Sequence, residues 1–284
     1  MRTVSFDTKA REVLRRVHVN MPWRFLGDYW DLILREAIHL ELGFSGEELD
    51  GLDLRTVEKT SADLRAHGCR LTIHGPFWEL CPGSQDPLIR QVTRLRLHQL
   101  ADVVEVVRPH QVVCHTGYDP RHHRTQVRAW LDRAQQVWEP VLRRLEGIGI
   151  RLCLENVWEE DPSIHREIFD RLPSPFLGFC FDVGHQHSFS DASVSVWWEA
   201  LEEKILEVHL HDNQGNLDEH LPVGRGTVDF DDLFRRIGAL NPAPVLTVEP
   251  HTLPHLVETV NALTAWLGEW EREPPMNANK HQWQ

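Results

Sequence analysis

The chain has 284 residues, of which 41% are hydrophobic and 26% charged, and it carries a net charge of −13 at pH 7. That length holds one large core or two small ones, and the acidic balance argues against nucleic acid as a bulk partner without excluding one basic face. No apolar run is long enough to span a bilayer and no secretory leader pattern is seen. Five scattered cysteines (Cys69, Cys81, Cys114, Cys153, Cys180) without a CxxC pair fit a reduced, cytoplasmic setting and exclude a cysteine zinc ribbon.

The predicted elements alternate along the chain. Short apolar runs occupy Arg16–Met21, Ile38–Gly43, Arg70–His74, Gln111–His115, Arg151–Glu155, Leu177–Asp182, Ile205–His211 and Val245–Glu249. Helix-like stretches lie between them, among them Asp53–His67, Pro87–Val107, His122–Glu146 and Phe230–Leu240. Asp or Ser often precedes these stretches, as helix N-caps should. Alternating β and α units imply a parallel sheet. Eight such units in about 250 residues match a closed (β/α)8 TIM barrel. An open dinucleotide-binding sheet would carry GxGxxG after its first strand, and none occurs. No linker divides the chain, so one barrel domain is expected over residues 1–272, followed by a polar, frayed tail over 273–284 (EPPMNANKHQWQ).

Strand side chains alternate between two faces. One face of the eight runs reads His18/Asn20, His39/Glu41, Thr72/His74, Val113/His115, Cys153/Glu155, Cys180/Asp182, Glu207/His209 and Thr247/Glu249. The other face is almost wholly apolar, for example Val17/Val19, Leu40/Leu42, Leu152/Leu154 and Phe179/Phe181. The apolar face must pack on the outer helices, so the polar face points into the barrel. Its polar groups gather at the C-terminal strand ends, where this fold keeps its active site.

Those strand ends carry His74, His115, Glu155, Asp182, His209 and Glu249, followed closely by His185 in DVGH and by Asp218 and His220 in DEHLPVGRG. Imidazole and carboxylate are ligands for zinc, manganese and similar ions. Any one of them alone is more simply a hydrogen-bonding residue or a helix cap, and His209–Leu210–His211 is a weak motif by itself. Together they gather carboxylates whose mutual repulsion and desolvation a divalent cation would relieve.

The ordered fragments IHGPF (73–77), CHTGY (114–118), LENVWE (154–159), FDVGHQH (181–187), HLHDN (209–213), DEHLPVGRG (218–226) and VEPH (248–251) resemble the xylose isomerase-like barrel superfamily, which includes endonuclease IV and the ketose 3-epimerases. The resemblance implies a divalent metal (Mn, Zn, Co or Mg) and one of two sites. In the single-metal isomerases and epimerases, a quartet matching Glu155, Asp182, His209 and Glu249 holds one ion. Glu155 and Glu249 would also move protons, and His185 would contact the substrate. In endonuclease IV, three zinc ions would fall to His74, His115 and Glu155, to Glu155, Asp182, His209 and Glu249, and to His185, Asp218 and His220. The chain departs from that enzyme after the fifth strand, where ENVWEEDP stands in place of ENTAGQG, and after the sixth, where a long Cys- and Gly-containing segment is missing. The implied activity is therefore a metal-dependent isomerase or epimerase of a sugar or sugar phosphate. A multi-zinc phosphoester hydrolase is the alternative, and a non-catalytic metal- or ligand-binding barrel the third.

Trp23, Trp78 and Trp158 follow the first, third and fifth runs. They could pack on the C–H face of a sugar, or simply loop against loop. The PVGRG turn with Arg225 could hold a phosphate on its N–H groups, or need its glycines only for positive φ.

Overall fold

The computed structural model describes residues 4–78 and 80–267. Eight strands, β1 (Val17–Pro22), β2 (His39–Gly43), β3 (Leu71–His74), β4 (Gln111–His115), β5 (Arg151–Glu155), β6 (Leu177–Asp182), β7 (Ile205–Leu210) and β8 (Val245–Val248), form a closed barrel in sequence order. Each neighbouring pair is parallel, and β8 pairs back to β1. The helices among the described residues are α1 (Thr8–Leu14), α2 (Trp30–Glu36), α3 (Gly46–Gly51), α4 (Leu54–Ala66), α5 (Pro87–Val107), α6 (Pro120–His123), α7 (Val127–Gly147), α8 (Ser163–Arg171), α9 (Val183–Phe189), α10 (Val194–Leu201), α11 (Phe230–Ala239) and α12 (Leu253–Leu267). None is long and apolar enough to cross a membrane. The expected tail over 273–284 lies outside the described residues.

Local chemistry sets the helix starts. Asp86 accepts the N–H of Leu88 at 2.7 Å, with Pro87 in the first turn of α5. Ser45 and Glu48 form a reciprocal capping box at α3. The helix expected over 122–146 starts differently. Asp119 caps the short α6 through the N–H of Arg121, and a 3-10 turn over Arg124–Gln126 separates it from α7.

The two strand faces part as their alternation requires. Val17, Val19, Leu40, Leu42, Leu152, Leu154, Phe179 and Phe181 are buried in the main core between barrel and helices. Inside the barrel, Val113, Cys153 and Cys180 form a small separate apolar cluster. Beside it Gln111 donates to Glu207 at 2.6 Å, and Thr247 donates to the other oxygen of the same carboxyl. Burial and the charge of Glu41 push Glu207 up to about 8, which favours its neutral form inside the barrel.

Candidate metal centre

The strand ends deliver their side chains to one cup. Register places His115 opposite Glu155 and Asp182 opposite His209. Asn156, next to Glu155, joins β5 to β6: its amide donates to the Asp182 carbonyl and accepts the Asp182 N–H, both at 2.9 Å. Asp182 caps α9 by accepting the His185 N–H at 2.6 Å, which turns His185 back over the barrel. A paired segment, Asp212 against Leu221, carries Asp218 and His220 over the mouth. His220 takes φ +47°, a left-handed conformation that costs a non-glycine residue about 1 kcal/mol or more.

Glu155 is the hub. Its Oε2 lies 3.0 Å from His74 Nε2 and 3.3 Å from His115 Nε2, and its Oε1 lies 3.1 Å from His185 Nδ1. Asp218 Oδ2 lies 3.3 Å from His185 Nε2 and 3.2 Å from His220 Nε2. His209 Nδ1 faces Glu249 Oε1 at 3.3 Å, Glu155 Oε2 at 3.6 Å and Asp182 Oδ2 at 3.7 Å, with no hydrogen bond of good geometry to any of them.

Those spacings suit a cation. Four ligand atoms about 2.1 Å from a tetrahedral centre stand about 3.4 Å apart. The donor chemistry agrees. His74 Nδ1 meets the Gly75 carbonyl at 2.8 Å while its Nε2 meets a carboxylate. Both partners only accept, yet a neutral imidazole has a single N–H. The ring must therefore take up a proton or share its Nε2 lone pair with a metal. Burial opposes charge on His74, but hydrogen bonding to Glu155 and the charge of Glu41 carry it up to about 9. His220 reaches about 9 against burial in the same way, through Asp218 and Glu249. For Glu155, burial alone would raise the carboxyl, but His115, His209 and His185 hold it well below the usual range. Protons thus neutralise the carboxylates here, and a divalent ion would replace them. Groups whose ligand atoms lie within 4.8 Å of one another include His74–His115–Glu155, Glu155–Asp182–His185, Glu41–His74–His209 and His185–His211–Asp218–His220.

A family model described as xylose isomerase-like TIM barrel matches residues 37–270. The chain belongs to that family. The uncharacterized protein MJ1311 of Methanocaldococcus jannaschii is 27% identical over 206 residues, 69% of this chain and 70% of that one. Among solved structures, a D-tagatose 3-epimerase-like protein superposes with a TM-score of 0.78 at 22% identity, covering 89% of this chain and 97% of its own. The TTHB071 protein of Thermus thermophilus, soaked with ZnCl2, gives a TM-score of 0.76 at 24% identity, covering 90% and 99%. At these identities the likeness speaks to the shared barrel.

All nine expected ligand-type residues lie at this cup. The aromatic and basic residues separate. Trp78 is exposed and lines the cleft over the ligands. Trp23 stacks on Phe44, whose ring lines that cleft, at 5.4 Å between centroids. Trp158 packs on Phe189 with the Arg121 guanidinium 4.7 Å from its ring, and the cleft is not among its contacts. The PVGRG turn holds a carboxylate of the chain itself. Asp212 accepts the N–H groups of Gly224, Gly226 and Val228 at 3.0, 2.7 and 3.1 Å. Arg225 pairs with Glu258 at 2.9 Å, away from the cleft. The N–H groups at this turn thus meet Asp212, and only Gly224 of its two glycines takes a positive φ.

Two residues of the cup were not assigned from sequence. Glu41 is fully buried, receives the Asn20 amide at 2.9 Å, and faces His209 Nε2 at 3.4 Å. A carboxylate behind a ligating imidazole fixes its tautomer and strengthens it as a ligand. Its signal was its place at the end of the second polar run. His211 contacts both Asp182 oxygens, at 3.0 and 3.2 Å, and stacks on His220 with 3.9 Å between centroids. Its signal was the HxH pair.

Proposed function

We propose that the protein is a divalent-metal-dependent epimerase or isomerase acting on a sugar or sugar phosphate. The observation that carries this is the approach of Glu155 and Glu249 to one imidazole nitrogen, His209 Nδ1, at 3.6 and 3.3 Å. They come from β5 and just past β8, with two strands between them, and both line a cleft of about 330 Å³. A substrate in that cleft has one carboxylate on either side. A divalent ion held by Glu155, Asp182, His209 and Glu249 would polarise a substrate carbonyl and acidify the neighbouring C–H bond. One glutamate then removes that proton and the other returns one to the opposite face of the carbon. His185, whose ring nitrogens meet the Asn156 carbonyl and Asp218, lines the same cleft and would contact the substrate through its ring. Phe77, whose ring meets His115 at 4.2 Å, and Trp78 line that cleft on the β3 side. The epimerase in the name of the D-tagatose 3-epimerase-like protein is an activity of this kind.

The test is isotopic. Incubation with a panel of ketoses and ketose phosphates in D₂O should place deuterium on the carbon next to the carbonyl. Glu155→Gln and Glu249→Gln, checked for retained metal, should lose that exchange. Phosphoester hydrolysis with no deuterium uptake from any panel member would refute the proposal.

Phosphoester hydrolysis by several ions is the second reading. It is favoured by one observation, the separate group His185–His211–Asp218–His220 beside His74–His115–Glu155. Metal stoichiometry discriminates: about one tightly held ion per chain supports the epimerase, about three support the hydrolase.

A further inference from the structure

A second cavity, of about 480 Å³, lies beside the metal centre, and the proton transfer above makes no use of it. It adjoins the cleft, and Asn20, Pro22, Arg24, His220, Glu249 and His251 line both spaces. Most of its wall is apolar, including Met21, Phe25, Tyr29, Leu32, Leu253 and Leu256. Strand alternation explains the change. Asn20 points into the barrel, where it meets Glu41, whereas Val19 belongs to the core on the outer face. A cavity that passes round the end of β1 therefore crosses from polar interior to apolar exterior.

The lining chooses among ligands. Among the described residues Arg24 is its one arginine or lysine, and that guanidinium lies 4.7 Å from the centroid of the Phe25 ring. Asp28 adds a carboxylate. His220, His251 and Arg24 stand at the edge shared with the cleft, so a phosphate beyond that edge would find no cage of cations, whereas an alkyl or aromatic group would take apolar wall out of water. The volume falls within the range of about 300–1,000 Å³ for small-molecule sites.

We infer that this cavity receives an apolar substituent of the substrate while the hydroxyl and carbonyl groups of the same molecule lie at the metal ligands. The inference rests on the proposed function and narrows it. The substrate class is a sugar or polyol joined to an apolar group, with its polar head at Glu155, Asp182, His209 and Glu249.

A series of alkyl hydroxamates tests this on the Mn²⁺-loaded full chain, because the head group chelates a divalent ion and the tail length can be varied. Calorimetric affinity should rise about fourfold per methylene until the cavity fills, making octanohydroxamate at least about a hundredfold tighter than acetohydroxamate. Leu32→Trp, which narrows the cavity, and Leu253→Asn, which makes its wall polar, should each lower that ratio about tenfold or more. If one variant does not fold, the other decides. Acetohydroxamate binding with no gain along the series would overturn the inference and leave the metal-dependent function standing. A gain that both variants retain would also overturn it, by locating the tail elsewhere. Failure of acetohydroxamate to bind in a metal-dependent way would remove the proposed function and the inference together.

Discussion

Replacing Gly184 with alanine places a methyl group in the ring of His211. The added Cβ would lie 2.5 Å from His211 Nε2, and closer still to Cε1 and Nδ1. Carbon atoms normally approach to about 3.5 Å, so the ring must shift by about 1 Å or more. The backbone cannot yield instead. The Gly184 carbonyl accepts the Asn213 amide at 2.8 Å, and the next N–H, of His185, is held by Asp182 at 2.6 Å. Moving His211 breaks its contacts with Asp182 and its stack on His220. A hydrogen bond to a charged group contributes about 1.5–3 kcal/mol, and overpacking costs about 1–3 kcal/mol. A total of about 3–6 kcal/mol corresponds to a fall in melting temperature of roughly 5–10 °C for a chain of this size. Metal held through Asp182, whose carboxylate His211 contacts, should weaken as well. Thermal denaturation by circular dichroism and elemental analysis of the same sample read both effects. A melting temperature within about 2 °C of the parent and unchanged metal content would refute the reasoning.

Chelation should lower the melting temperature, and Mn²⁺, Co²⁺ or Zn²⁺ should restore it. Because neighbouring carboxylates raise His74, His185 and His220 above the usual imidazole range, uptake of the ion should acidify a weakly buffered solution; a pH-neutral uptake would count against the charge balance described here. Asp182→Ala, His209→Ala and Glu249→Ala should abolish tight metal binding, whereas His74→Ala and Asp218→Ala should keep one ion, as equilibrium dialysis can show; loss of one of three ions by each of the last two would move the assignment to the hydrolase. Away from the site, burial and Arg70 hold His39 down at about 4. The unfolded chain gains that proton near pH 6.5 and the folded chain only near 4, so the stability this residue contributes is intact above pH 6.5 and lost as pH falls to 4. The loss is about 3 kcal/mol, and His39→Gln should flatten the acid limb of stability against pH; parallel curves would contradict the assignment.

The barrel and most of the cup were legible in the chain because they rest on local regularities. Strand side chains repeat every two residues, so Val17/Val19 against His18/Asn20 already separates outside from inside. Five of the eight apolar runs, including Gln111–His115, Arg151–Glu155 and Leu177–Asp182, begin where the strands begin. The nine ligand-type residues are legible for the same reason, since they end the inward-facing runs or follow them within one loop. Closure of the barrel decided the rest. Which imidazole meets which carboxylate depends on the stagger between strands far apart in sequence, as when Glu41 of β2 comes behind His209 of β7. His211 lies one residue past the end of β7, where alternation no longer assigns a face, and its position follows from packing against Gly184 and His220. The PVGRG turn could be read as open to phosphate until Asp212, twelve residues before Gly224, was seen to take its N–H groups. Composition and spacing determine which side chains face inward; only the folded chain, by fixing distances across the barrel and around the end of β1, decides what each one touches and where an apolar cavity opens beside a charged centre.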